Sequence, residues 1–198
     1  MIDRALLFLR DRLNEHVARS SGAVDSGLGD AIAFPDGDKL DPLALKVGAV
    51  NLLLVNMEQE LVMRAGDPFS RVLGDGTSLA VQPSLRLNLM IMFAARYRVY
   101  DAGLAALFAV LHFFQANRVF EARAFPDLDP RIDRLVVELI TLPLAQQNDL
   151  WASLRLAYHP SLLFRVRMLT VEQDSEAAPA TLVGEPRLDI RHVVPAVV

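Results

Sequence analysis

From residue 85 the chain alternates strictly. Leu85, Leu87, Leu89, Ile91 and Phe93 interleave with Arg86, Asn88, Met90, Met92 and Ala94. A period of two predicts a strand with its large apolar side chains on one face. Leu104, Leu107, Phe108, Leu111 and Phe114 then recur at helical spacing, which predicts a long helix with a broad core-facing stripe. No residue type that usually does chemistry stands at the junction, so the block reads as scaffold.

Upstream, Ile2, Leu6, Leu9, Leu13 and Val17 form one stripe of a helix over about Asp3–Ala18. Asp3 suits the positive end of its dipole, and Glu15 with Arg19 is a favourably oriented i,i+4 pair. Ser20, Ser21 and Gly22 end it. Residues 20–46 read mostly as connection, with a short strand at Ala31–Phe34. Val47 to about Met63 reads as a long strand; a helix competes by period alone, and the β-branched Val50 and Val55 favour the strand. Pro68, Gly74, Asp75, Gly76 and Pro83 leave nothing regular across 65–84, and so long a connection suggests a functional or partner-ordered segment.

Downstream, Arg134–Ile140 alternates with Leu135, Val137 and Leu139 on one face, and Pro143 fits the first turn of a helix carrying Leu144, Leu150, Trp151 and Leu154. In a last strand Leu162, Phe164, Val166 and Met168 oppose Leu163, Arg165, Arg167 and Leu169. The order α-β-β-α-β-α-β predicts an α/β (α+β) domain, a mixed β-sheet flanked by helices, over residues 1–173. At Asp174 the composition shifts, and 174–198 reads as a linker followed by an apolar-rich tail.

Of the 198 residues 53% are hydrophobic, above the usual ~45–50%. Either a generous core or surfaces covered by partner subunits accounts for the excess. The net charge of −4, with Lys39 and Lys46 the only lysines, argues against a nucleic-acid partner, because phosphate neutralisation needs clustered cations. Without cysteine there is no disulfide or thiolate metal site. Charges at Asp3, Arg4, Arg10, Asp11 and Arg12 rule out a signal-peptide reading of the N-terminus. The uncharged run 102–117, 16 residues long, is shorter than the ~20 residues of a membrane span. A cytosolic, soluble protein is expected.

Candidate chemistry is sparse. His16, His112, His159 and His192 show no metal-ligand spacing, and packing is the plainer role for His112 between Leu111 and Phe113. Asp127, Asp129 and Asp133 lack the glycine and terminal Glu of a calcium loop and read as turn residues. No phosphate-binding glycine loop or serine elbow is present, so no catalytic residue, cofactor or metal is expected. Glu58 and Glu60 share one face of their strand, about 7 Å apart, and Arg165 and Arg167 share one face of the last strand. Carboxylate chemistry, solvation, or ion pairing across strands or subunits each fits Glu58 and Glu60. The charge complement with Arg165 and Arg167 points to a weakly indicated assembly interface.

Several segments follow one another in a telling order. They are MIDRALLFLRDRLNEHV at the start, Asn56–x–Glu58–x–Glu60 closing a strand, LNLMIMFAA at 87–95, and the Tyr97–Tyr100 turn. A helix ending in FFQ at 113–115, LVVEL at 135–139, DLW at 149–151 and HPSLLFRVRMLTV at 159–171 complete the series. Together they resemble the cap, or tail-terminator, protein family of phage-tail-like contractile injection systems, over roughly the first 173 residues. The resemblance implies a structural, non-enzymatic subunit of a homohexameric ring that ends inner-tube polymerisation and binds the terminal sheath layer. Its partners would be itself and the tube and sheath subunits, in the cytoplasm during assembly and then in the particle. Loops 20–46 and 65–84 and the tail would be arms reaching neighbours. A small cytosolic enzyme or ligand-binding domain, or a baseplate or adaptor component, remains the rival reading.

Overall fold

The computed structural model describes residues 1–20, 30–40, 43–60, 70–72, 78–80 and 86–170. They fall into two compact units, one within 1–63 and 84–171, the other within 64–83. The first unit opens with helix α1 (Ile2–Ser20) and strands β1 (Ile32–Ala33), β2 (Asp36–Leu40), β3 (Leu43–Ala44) and β4 (Ala49–Gln59). The second contributes β5 (Ser70–Val72) and β6 (Ser78–Ala80), paired antiparallel with each other. The first resumes with β7 (Arg86–Arg96), α2 (Tyr100–Ala116), β8 (Val119–Glu121), β9 (Ile132–Ile140), α3 (Leu144–Ser153) and β10 (Ser161–Thr170).

The long elements follow the predicted order and build a mixed sheet flanked by helices. Six strands align as β1-β4-β7-β10-β9-β8. The β1–β4 pair is parallel and every other pair in the sheet is antiparallel. Where the sequence suggested connection, short strand pairs form instead: β2 with β3 and β5 with β6. These two- to five-residue strands are too brief to carry a periodic signal. Of the expected arms, residues 21–29 and 41–42 of loop 20–46, residues 65–69, 73–77 and 81–84 of loop 65–84, and the whole tail 174–198 lie outside the described residues.

Strand β7 is buried on both faces. Leu89, Ile91 and Phe93 enter the main core beneath α1 and α2, while Met92 and Ala94 enter a smaller cluster built around Trp151 of α3. Phe93 lies 5.7 Å from both Phe114 and Phe164, ring centre to ring centre, and Phe114 and Phe164 are 4.9 Å apart. Such tilted and edge-on pairs add to the burial of three large rings. Leu87 is half-buried, and Leu85 lies outside the described residues.

Helix α1 buries Ala5, Phe8, Leu9 and Leu13, with Ile2 and Leu6 at the core margin. The expected Glu15–Arg19 ion pair does not form. Arg19 donates instead to the Glu15 backbone carbonyl, and the Glu15 carboxylate takes Arg12, which also binds Asp127. Arg12 reaches both because it stacks over Phe8 and Phe125. The Asn14 amide exchanges two hydrogen bonds of 2.9 Å with the backbone of Ile32, fastening the edge strand β1 to α1. The one buried polar residue of the described core, Asn51, accepts from the Lys46 N–H and donates to its carbonyl, closing the turn that contains Gly48 at φ +82°.

Two predicted apolar stripes are corrected. In α2 the buried residues are Gly103, Leu107, Val110, Phe113 and Phe114, whereas Leu104 and Phe108 face outward and Leu111 is half-buried. The helix is apolar nearly all round, so its periodicity could not choose the face. In α3, Trp151 is buried with Leu150 and Leu154 beside it, but Leu144 is 84% exposed at the first helical position. Pro143 caps that helix from just outside.

In the turn before β9, Asp129 accepts the Arg131 backbone N–H and two guanidinium N–H bonds, which hold its carboxyl well below the usual carboxylate range. Its depressed pKa makes it a stabilising group above about pH 4 whose contribution disappears as acid protonates it. Asp129→Ala is therefore expected to lower the melting temperature at pH 7, with the gap to the native chain closing as the pH falls below 4. Phe93→Ala removes the shared ring of the core, and urea unfolding should register a loss of about 3–5 kcal/mol.

Candidate assembly interface

Residues opposite each other in antiparallel pairs share a sheet face, so the register assigns every charged strand residue to a side. On β4, Val50 and Leu52 lie with the core beneath α1 and α2, and Leu54 stands opposite Ile91 on that same side. Continued alternation would send Asn56 and Glu58 there too. It does not, because the β4–β7 register shifts between Leu54 and Asn56, leaving Val55 as an extra residue. Asn56 then opposes Met90, and Glu58 opposes Asn88. The bulge thus carries Glu58 to the opposite face, where a β-bulge commonly re-aims a side chain.

Arg165 and Arg167 lie on that same opposite face. Arg165 is in register with Met90 on one side and Glu138 on the other; Arg167 is in register with Asn88 and Val136. One row therefore reads Glu58, Asn88, Arg167, Val136 across four strands, with Asn56, Met90, Arg165, Glu138 beside it. Glu60 follows just past β4, its N–H donated to the Arg86 carbonyl at 3.0 Å. Helix α3 covers only the end of this face around Met92, Ala94 and Leu163. The charged rows lie beyond it.

The structure thus brings the four sequence candidates onto one face but does not join them directly. Arg167 donates to the Glu138 carboxylate at 3.0 Å. Glu58 accepts from the Asn56 amide at 3.1 Å. Two atoms on the same patch, Asn88 Oδ1 and Arg165 Nε, are buried without a hydrogen-bond partner. Asn88 and Glu138 were not singled out from sequence, since only the strand register reveals their positions beside the charged pairs.

A second surface lies on α2. Tyr100, Leu104 and Phe108, one turn apart, are 70%, 44% and 66% exposed, with Val99 exposed just before them. No charged residue interrupts the helix between Asp101 and Arg118. An outward ridge of this size is more than scattered surface apolarity.

The other candidates resolve as packing. His16 and His112 come together, stacked with ring centres 6.3 Å apart, and His112 is exposed rather than in the core. His159 rests against Trp151, and burial with nearby Arg96 pushes its pKa down. His192 lies outside the described residues. Asp127 and Asp129 bind arginines, and no group of three potential metal ligands occurs among the described residues. A groove of about 460 Å³ between the end of α2 and β9 is lined by Leu111, Phe114, Gln115, Arg118, Glu138 and Leu139, among others. No helix among the described residues is long and apolar enough to cross a membrane.

Comparison with known proteins decides the family. Residues 6–185 match the model of the Pvc16 N-terminal domain. The chain belongs to the Pvc16 N-terminal domain family. This agrees with the terminator resemblance of the sequence segments. Among solved structures the domain is similar to the tube-terminating cap of the anti-feeding prophage, at 14% identity and a TM-score of 0.47, over 69% of this chain and 47% of that one. It is also similar to the sheath/tube terminator of an extracellular contractile injection system, PVC, in the extended state, at 19% identity and a TM-score of 0.48, over 87% of this chain and 61% of that one. The Pvc16-family chain therefore spans 47% and 61% of the lengths of those two proteins. No curated protein matches it.

If the α2 ridge is a contact surface and not part of the core, Phe108→Ser should shift the isolated domain's unfolding free energy by no more than about 0.5 kcal/mol. Leu107→Ser, one residue away and buried, should cost several times more. Parallel urea titrations of the two variants decide the matter.

Proposed function

We propose that this Pvc16-family domain is a structural subunit of the cap of a contractile, phage-tail-like injection particle. It forms a ring of six copies that seats on the end of the inner tube and holds the last sheath layer. The ring ends polymerisation because one side matches the growing tube and the other recruits no further subunit. The role is mechanical, with no catalytic residue or cofactor. The subunit is made in the cytoplasm and travels with the particle. The family match over residues 6–185 carries the reading.

Two features support it. The domain keeps a charged sheet face and an uncharged helical ridge outside its own core, and a ring component that also touches tube and sheath needs several such surfaces. The exposed apolar side chains fit permanent contacts better than a freely diffusing monomer, since stable interfaces resemble a core cut in half.

Deleting this subunit from cells that make the particle should yield tubes of broad, unregulated length with sheath missing or loose at the unfinished end. Electron micrographs of purified particles measure this directly. Rods of normal, uniform length without the subunit would refute the cap role.

A further inference from the structure

We propose that α2 docks against α2 of a second copy of this chain, the two helices antiparallel about a two-fold axis, with Phe108 of each copy seated at the groove beside the other's helix. The proposal does not rest on the cap reading, because it concerns the free chain.

Ridge and groove adjoin on one helix. Phe108 is exposed. Leu111 and Gln115, which line the groove of about 460 Å³, follow Phe108 by three and seven residues and continue its stripe. Val137, Leu139 and Phe164 add apolar lining from the sheet, and Leu139 is open to solvent. The projection and the recess therefore occupy one patch, present on every copy. A patch that carries both parts is self-complementary and closes isologously, each copy giving and receiving the same ring.

The charges at the two ends of the helix favour a second copy over another partner. Between Asp101 and Arg118 the chain carries no formal charge. Both end groups are exposed, and neither has an ion-pair partner among the described residues; Asp101 accepts the Ala102 N–H at 2.9 Å. A two-fold axis at the level of Ala109 and Val110 sets Phe108 against the partner's Leu111 and Leu104 against the partner's Gln115. The same axis sets Asp101 against the partner's Arg118. Opposite charges thus meet at both ends of the pair, and the apolar stripe is covered between them. Parallel helices would instead bring like charges together, which is unfavourable. An aromatic anchor seated in a recess supplies most of the energy of such a contact, and the end charges set the direction of the helices.

Copies related in this way face opposite directions. The contact is therefore not one that repeats around a ring whose copies all face one way. It is the form in which the free chain covers its ridge.

The chain has no cysteine, so an introduced thiol is the only one present. His112→Cys, on the exposed side of α2 near the axis, is expected to give a covalent dimer with a short bis-maleimide. Tyr158→Cys, exposed beside Trp151, should not. Sedimentation equilibrium of the purified chain should show a monomer–dimer equilibrium that Phe108→Ser weakens at least tenfold. Asp101→Arg should weaken it as well, and Arg118→Asp in the same chain should restore it. Circular dichroism verifies the fold of each variant. Pairing stabilises folded copies by mass action, so the urea midpoint of the native chain should rise with protein concentration. That of Phe108→Ser should stay constant, and at dilution the two should unfold alike. A chain that is monomeric at millimolar concentration, a larger species in place of the dimer, or a dimer untouched by Phe108→Ser overturns the proposal. So does cross-linking at Tyr158→Cys without any at His112→Cys. None of these results bears on the cap reading, which falls separately, on particles that end normally without the subunit.

Discussion

Strand β7 must satisfy two cores at once. It is hydrogen-bonded along nearly its whole length to β4 on one edge and β10 on the other. Leu89, Ile91 and Phe93 fill one side, and Met92 and Ala94 fill the other. A strand so enclosed tolerates no register slip, because moving by one residue would exchange the two sets of side chains. Everything else is placed relative to it. The three-ring contact of Phe93, Phe114 and Phe164 positions α2 over the sheet, and Trp151 positions α3 on the reverse.

That placement determines what is left over. With Leu107, Val110 and Phe114 turned to the sheet, the same helix must turn Tyr100, Leu104 and Phe108 outward. A helix apolar on all sides is suited to being sandwiched, and the domain supplies only one slice. On the reverse face α3 is too short to reach past Met92 and Leu163, so the outer half of the sheet carries Asn88, Arg165, Arg167, Glu138 and, through the bulge, Glu58. The surplus apolar composition thus serves both a generous core and an exterior ridge.

Family membership and these two surfaces support the same view from different sides. A terminator acts by geometry: it must fit an end and then refuse to be extended. Such work needs extended faces with fixed residue spacing, which a rigid sheet provides better than loops do. Asp129 and Asp127 are occupied by arginines, and the two perturbed aromatic groups, His159 and Tyr97, owe their shifts chiefly to burial.

The long elements were legible because each satisfies a local rule. Leu89 to Phe93 alternates, α1 repeats its stripe every three to four residues, and Pro143 marks where α3 starts. Neighbouring side chains dictate these patterns, and no distant contact is needed to read them. The resemblance of ordered segments, from MIDRALLFLRDRLNEHV to HPSLLFRVRMLTV, was legible on the same grounds. The face of α2 was not, since an all-apolar helix has no preferred side until a sheet chooses one. Nor was the side on which Glu58 emerges, because one extra residue at Val55 reverses the alternation and only pairing with β7 reveals it. Sequence alone established the elements and their order, which depend on nearby residues; the tertiary structure decided which faces remain outside, which depends on strands brought together from far along the chain.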